Sequence, residues 1–147
     1  MKIQSSVFEN NQNIPKKFTC DGADISPPLK IFGVPKNAQS LALIVDDPDA
    51  PGGTFVHWTM WNIPVEILEI QEGVTPAESI EGITSFGTTG YGGPCPPSGI
   101  HRYFFKIYAL EDKLNLSDDA DKSQLFEAMK GRILDEAELV GLYKRNK

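Results

Sequence analysis

The chain has 147 residues, enough for one domain spanning 1–147, and its 40% hydrophobic and 23% charged content is that of an ordinary soluble globule. The net charge of −6 argues against broad binding to nucleic acid or anionic lipid surfaces, because both require a positive electrostatic field. Because no apolar run reaches the roughly 18 residues of a membrane span and residues 1–18 lack the apolar stretch of a signal peptide, we expect a cytoplasmic protein without membrane insertion.

Two strands joined by a tight turn are predicted in the first half of the chain. The nearly continuous apolar run 40–47 (SLALIVDD) indicates a central strand buried on both faces. Segment 47–53 (DPDAPGG) contains two prolines and two glycines and predicts a turn. The aromatic-rich segment 55–64 (FVHWTMWNIP) indicates the next strand, which its terminal proline ends.

The second half continues the strand pattern around a long loop and one helix. Residues 84–99 form an irregular loop rich in glycine and proline, and 101–110 (HRYFFKIYAL) indicates a strand. A capping box between Asp121 and Gln124 begins the predicted helix, and apolar residues follow at helical spacing. Residues 138–145 predict a short final strand. Strands separated by irregular loops indicate a mainly β protein, a sandwich or a barrel, with one helix added late.

Both histidines lie on predicted strands beside turn-rich segments. Because alternate side chains of a strand share a face, His101 and Tyr103 point the same way, roughly 7 Å apart. The same alternation groups His57 with Thr59 and Trp61. A histidine next to a tryptophan is also typical of a packed core, so the position of His57 alone does not define a site.

Asp47 ends one predicted strand and His57 lies near the start of the next, so a carboxylate and an imidazole could meet at one end of the sheet. An aspartate can fix the tautomer of a histidine and favour its charged form. Alternatively, Asp47 and Asp49 are only turn residues. Two histidines and two aspartates could also bind a metal ion, but their spacing matches no local metal motif. We therefore expect neither a metal nor a cofactor.

Cysteine chemistry is not expected to contribute to a site. Cys20 and Cys95 match no metal-binding spacing, and a disulfide between them is disfavoured in a reducing compartment. Cys95 follows a proline, with no helix start to activate its thiol, and Ser98 lies in the proline loop rather than on a strand-to-helix elbow. The sequence therefore shows no evident nucleophile.

Two segments resemble the signature regions of a known family. They are 46–64 (DDPDAPGGTFVHWTMWNIP) and 91–110 (YGGPCPPSGIHRYFFKIYAL), and they are similar to those of the phosphatidylethanolamine-binding protein family, also called the Raf kinase inhibitor protein family. Segments 18–35 and 137–145 resemble its bacterial and archaeal branch. The resemblance covers nearly the whole chain.

The resemblance implies a mainly β fold, an antiparallel β-sandwich of a large sheet on a smaller one with one or two peripheral helices. It also implies a small anion-binding pocket at one end of the sandwich, and a cis peptide bond between Ala50 and Pro51. The stiff loop around residue 95 is expected to form a wall of this pocket. Matched position by position, the family motifs place seven residues at the pocket: Asp47, Asp49, His57, Gly93, Pro94, His101 and Tyr103.

The function implied is that of a binding or regulatory protein for a small anion, such as phosphate, a phosphorylated ligand or a phosphoryl headgroup. One alternative is an inhibitor that acts through its surface on a kinase or serine protease. The second is an acid–base hydrolase that uses the two histidines, although without an evident nucleophile catalysis is disfavoured. The resemblance also allows a homodimer.

Overall fold

The structure, a computed structural model, describes residues 1–146, which fold mainly into β-strands with one α-helix and one 3-10 turn. The strands are β1 (Lys2–Gln4), β2 (Gln12–Asn13), β3 (Leu29–Phe32), β4 (Ser40–Asp47), β5 (Phe55–Ile63), β6 (Glu69–Ile70), β7 (Ile80–Glu81), β8 (His101–Leu110) and β9 (Ile133–Tyr143). The 3-10 turn is Lys16–Phe18 and helix α1 is Lys122–Met129. No helix within residues 1–146 is long and apolar enough to cross a membrane.

The strands form two sheets. The larger has the order β2-β9-β8-β4-β5-β7 and the smaller has the order β1-β3-β6. The expectation of purely antiparallel pairing is wrong at one edge, since β2 runs parallel to β9. The reason is local: the two-residue β2 follows a turn and lies along Gly141 and Leu142, where it pairs edge backbone groups that would otherwise be open.

The central strands are buried as predicted. All eight residues of β4 are buried, because its two faces belong to different hydrophobic clusters. One cluster joins the two sheets, with Leu43 and Val45 of β4 packed together with Ile31 of β3. The other lies on the opposite face, where Leu125 and Met129 of α1 cover the large sheet. Helix α1 therefore stabilises the face of the sheet opposite to the smaller sheet.

The helix begins as the sequence predicted. The Asp121 side chain accepts from the Gln124 backbone N–H, and the Gln124 side chain accepts from the Asp121 N–H, which confirms the capping box. Gly131 lies just beyond the helix with φ of 76°, a conformation that glycine adopts without strain. The final strand is longer than predicted and begins at Ile133.

A β-bulge overturns the predicted face of His57. Asp46 pairs with Val56 but Val45 pairs with Trp58, so His57 is an extra residue with no partner on β4. The bulge shifts the alternation of β5 by one residue. His57 consequently contacts Tyr103, whose cluster faces the smaller sheet. Trp61, which strict alternation would place with His57, packs in the cluster beneath helix α1.

Candidate functional site

A cavity of about 240 Å³ lies at one end of the large sheet. β4 ends there at Asp47, and its antiparallel neighbour β8 begins there at His101, so the antiparallel pairing of β4 and β8 brings these residues together. The bulge in β5 adds His57. The lining residues come from these strands and from the loops around residues 50, 86 and 96: Asp47, Ala50, Pro51, Phe55, His57, Phe86, Cys95, Pro96, Pro97, His101 and Tyr103.

Asp47 orients His101. The His101 Nδ1 lies 2.7 Å from Asp47 Oδ2, and both side chains are almost fully buried. Since a carboxylate only accepts, the proton is on Nδ1, and Nε2 is the ring nitrogen left free for a ligand. The sequence pointed to Asp47 and His57 as neighbours, but the direct partner of Asp47 is the histidine 54 residues further along the chain.

His57 is held by a backbone carbonyl. Its Nδ1 lies 2.7 Å from the Gly92 oxygen, so Nδ1 carries the proton and Nε2 is free in the neutral ring. The Gly92 N–H donates in return to the His57 carbonyl. Burial lowers the pKa of His57, and the bond to Gly92 and the negative charge of Asp47 oppose that shift. His57 is therefore a neutral imidazole near neutral pH.

Tyr103 lies between the two histidines. Its ring centre is 5.2 Å from that of His57, edge to face, and 6.5 Å from that of His101, nearly parallel. Burial raises the pKa of Tyr103, which keeps its hydroxyl protonated and able to donate. Phe55 and Phe86 contact the other side of His57, with ring centres 5.0 and 5.4 Å away. The polar groups of the cavity thus lie against an aromatic wall.

Asp49 lies outside the lining of the cavity. Its carboxylate binds the Arg102 guanidinium through two contacts of 2.8 and 2.9 Å and accepts from the Arg102 backbone N–H. These bonds lower the pKa of Asp49 to about 2. The Asp49 backbone N–H donates to Asp47 Oδ1, so residue 49 supports the carboxylate of Asp47 from outside.

Gly93 and Pro94 lie behind the cavity rather than in its lining. The Gly93 N–H donates to Asp24 Oδ1, and the Pro94 carbonyl accepts from the Cys20 N–H. A side chain at residue 93 would collide with the Phe18 carbonyl and with Asp24. Both residues therefore attach the cavity loop to the segment 16–24.

Two sequence expectations near the cavity are wrong. Cys20 and Cys95 form a disulfide: the Cys20 N–H donates to the Pro94 carbonyl, and the two cysteine Cα atoms lie 5.5 Å apart, a distance that a disulfide spans. A spacing of 75 residues gave no hint of this proximity. The peptide bond between Ala50 and Pro51 is trans, contrary to the expectation taken from the family resemblance.

Several lining residues escaped the sequence reasoning. Phe55 could have been found, because residues 55 and 57 are two apart on one strand and therefore share a face. Phe86 had only a weak signal, a lone aromatic residue in a loop of glycine, serine and threonine. No three His, Cys, Asp or Glu side chains within residues 1–146 are grouped closely enough to hold a metal ion.

Within residues 1–146, the fold is that of a small mainly β protein with two sheets and one helix. Its cavity lies at the ends of the central strands. The family model for phosphatidylethanolamine-binding proteins matches residues 4–144. The chain belongs to this family.

Relatives and solved structures agree with this assignment. A UPF0098 protein of Pyrococcus horikoshii is 53% identical over 96% of this chain and 75% of its own length, and one of Methanothermobacter thermautotrophicus is 49% identical over 99% of both. The crystal structure of a phosphatidylethanolamine-binding protein homologue from Chlamydia trachomatis has a TM-score of 0.96 and 40% identity, covering 99% of this chain and 97% of that one. E. coli YbcL has a TM-score of 0.92 and 28% identity, covering 99% and 98%.

Proposed function

We propose that this protein is a cytoplasmic binding protein for a small anion, such as phosphate or the phosphoryl group of a larger ligand. In this proposal the two sheets are the layers of a β-sandwich, and the cavity at its end is the binding pocket. The observation that carries the proposal is the convergence of His57, His101 and Tyr103 on one cavity of about 240 Å³.

The chemistry of these groups suits an anion. The Tyr103 hydroxyl donates, and each histidine has one ring nitrogen free of protein bonds that donates once it is protonated. Such charge-assisted bonds are about twice as strong as neutral ones. The cavity is smaller than the roughly 300–1,000 Å³ of pockets for drug-sized ligands, so it accepts one anionic group while the rest of a larger ligand stays outside.

Phosphate titrations followed by calorimetry and by histidine NMR signals test the proposal. We expect saturable binding, a rise in the pKa of a cavity histidine with phosphate bound, and loss of binding in His57→Ala. The matched control is Lys36→Ala, which removes an exposed cation away from the cavity and should bind normally. Absence of phosphate binding by the wild-type protein, or unchanged binding in His57→Ala, contradicts the proposal.

A second candidate function is acid–base hydrolysis, favoured by the Asp47–His101 pair. A buried carboxylate that fixes a histidine tautomer leaves Nε2 able to take a proton from water. Turnover of a generic phosphoester that disappears in His101→Ala would support this function. Phosphate binding without turnover would exclude it for that class of ester.

A further inference from the structure

One wall of the cavity is formed by a segment that has few attachments to the rest of the protein. We call this segment, residues 95–100, the proline wall. Its first three residues, Cys95, Pro96 and Pro97, line the cavity. Within residues 1–146, no backbone or side-chain hydrogen bond involves any residue of the proline wall. Pro96 and Pro97 have no N–H to donate, so part of this absence is dictated by the sequence.

The segment before the proline wall is bound very differently. The Tyr91 hydroxyl donates to the Phe18 carbonyl, the Gly92 N–H donates to His57, and the Gly93 N–H donates to Asp24. Beyond Pro94 these bonds stop, and the next ordered attachment is the start of β8 at residue 101. Between these two anchored regions, the Cys20–Cys95 disulfide is the cross-link that attaches the proline wall to the segment 16–24.

Cys20, the other cysteine of the disulfide, lies in a segment that is held by several hydrogen bonds. Thr19 beside Cys20 is fully buried, and its hydroxyl donates to the Lys16 carbonyl and accepts from the Asp21 N–H. Asp21 in turn accepts from the Tyr143 hydroxyl at the end of β9 and from the Arg145 guanidinium two residues beyond the strand. Cys20 is therefore fixed, and a break in the disulfide would free the residue 95 side rather than the residue 20 side.

The disulfide is also accessible. Cys95 is an exposed residue and Cys20 a partly exposed one, so we assign Cys95 as the cysteine that an attacking thiolate meets first. Ile100, at the far end of the proline wall, is 62% exposed, whereas Pro96 in its middle is buried against the cavity.

We propose that the Cys20–Cys95 disulfide is a thiol-exchange site for a dithiol reductant, and that its reduction releases the proline wall and weakens anion binding in the cavity. This inference rests on the proposed anion-binding function. It adds to that function a redox control built into the pocket wall.

The exchange proceeds in two balanced steps. A thiolate of the dithiol attacks the Cys95 sulfur and forms a mixed disulfide, while Cys20 leaves as a thiolate and takes up a proton. The second thiol of the reductant, as a thiolate, then attacks the reductant sulfur that is bonded to Cys95. This step releases Cys95 as a thiolate, which is also protonated. The protein gains two electrons and two protons, and the reductant becomes a cyclic disulfide.

The effect on affinity follows from the population of the closed wall. If the released wall occupies its closed position about one tenth of the time, the apparent dissociation constant rises about tenfold. That change corresponds to about 1.4 kcal/mol. The two prolines limit the loss, because they restrict the conformations of the released segment.

The test compares the oxidised protein, the protein reduced with dithiothreitol, and Cys20→Ser/Cys95→Ser. Phosphate affinity is measured by calorimetry, and the order parameters of the Ser98 and Gly99 amides are measured by ¹⁵N relaxation, which detects wall mobility without any ligand. We expect reduction and the double substitution to lower both order parameters and to weaken phosphate binding about tenfold. Dithiothreitol should not change the double variant, and near-UV circular dichroism checks that each form is folded.

The outcomes separate the two proposals. Unchanged order parameters and affinity in the folded, reduced protein overturn the redox control. If the oxidised protein does not bind phosphate, the anion-binding function fails, and the order parameters alone still decide whether the disulfide holds the wall. A mobile wall with undiminished affinity also overturns the proposal, because the wall would then not contribute to binding.

Discussion

Asp47 presents a carboxylate in a cavity that we propose binds anions, and its hydrogen bonds resolve the apparent conflict. One oxygen accepts from His101 and the other accepts from the backbone N–H of residue 49. Both carboxylate oxygens of Asp47 are therefore hydrogen-bonded within the protein. Asp47 acts on a ligand indirectly, because it orients the ring of His101. A positioning role makes a prediction opposite to that of simple charge repulsion.

Replacing Asp47 by Asn should weaken phosphate binding about tenfold, although it removes a negative charge from the cavity. The reason is that a hydrogen bond to a charged group, worth about 1.5–3 kcal/mol, no longer fixes the ring of His101. Calorimetric titration measures the change. The control is Asp118→Asn, which removes an exposed carboxylate that does not line the cavity. Tighter binding by Asp47→Asn would show that charge repulsion prevails.

His57 should make the stability of the ligand-free protein depend on pH. Burial lowers its pKa in the folded state below the ordinary value of about 6.5. Between these two pKa values the unfolded chain binds more protons, so the free energy of unfolding falls as the pH drops through about 6.5 toward the folded pKa. The slope from this residue is at most about 1.4 kcal/mol per pH unit.

Chemical denaturation of the wild type and of His57→Gln, at about pH 8 and about pH 5, measures this contribution. The variant should lose less stability on acidification than the wild type. Equal losses in the two proteins would show that His57 titrates in the folded state as it does in the unfolded chain.

The residues of the site could be predicted better than their contacts. Asp47, His57 and His101 stand at strand ends next to turn residues, a pattern visible in the sequence. The partner of Asp47 could not be read in the same way, because it depends on which strand pairs with β4 on each side. The local sequence does not specify the order of strands in the sheet. In the chain, β8 follows β5 only after two short strands and a long loop, yet in the sheet it lies next to β4.

The bulge in β5 is the element-scale feature that builds the site. The strand itself was predicted, since its aromatic residues and terminal proline are local signals. The bulge was not, because an inserted residue is defined only by the register with β4. A one-residue shift moves a side chain to the other face, and here it moves His57 to the cavity.

The loop preceding the proline wall depends on a glycine at residue 93. We expect Gly93→Ala to lower stability by about 2 kcal/mol, as overpacking does, and to weaken phosphate binding, because the new methyl group collides with the Phe18 carbonyl and Asp24 and displaces the loop. Thermal unfolding and calorimetry measure the two effects. Gly52→Ala is the matched control, since no atom lies within 4 Å of its added carbon. Normal affinity in Gly93→Ala would mean that loop position is not critical.

At the scale of the whole molecule, the disulfide ties the first quarter of the chain to the cavity loop. The two-sheet, mainly β architecture was within reach of the sequence, since it follows from strand patterning and loop composition. The disulfide was not, because two cysteines 75 residues apart have no pairing signal and the expected compartment argued against one. Only the packing of the segment 16–24 against residues 91–95 brings them together.

Loss of the disulfide should lower the stability of the protein substantially. The loop it closes spans 75 residues, and the chain-entropy model assigns about 4 kcal/mol to a loop of this length. For a protein of this size that corresponds to a melting temperature lower by about 10 °C. Calorimetric scans of the wild type and of Cys20→Ser/Cys95→Ser measure the difference. Reductant should lower the melting temperature of the wild type alone, and equal melting temperatures would contradict the estimate.

The pairing of Arg102 with Asp49 has a kinetic consequence. The guanidinium beside the cavity is already neutralised by a carboxylate, and the protein as a whole carries a net charge of −6. An anion diffusing toward the cavity is therefore repelled on approach rather than steered. Salt shortens the range of this repulsion, so a rise in ionic strength should speed the capture of the anion, the reverse of what is usual for binding sites that attract their ligands by charge.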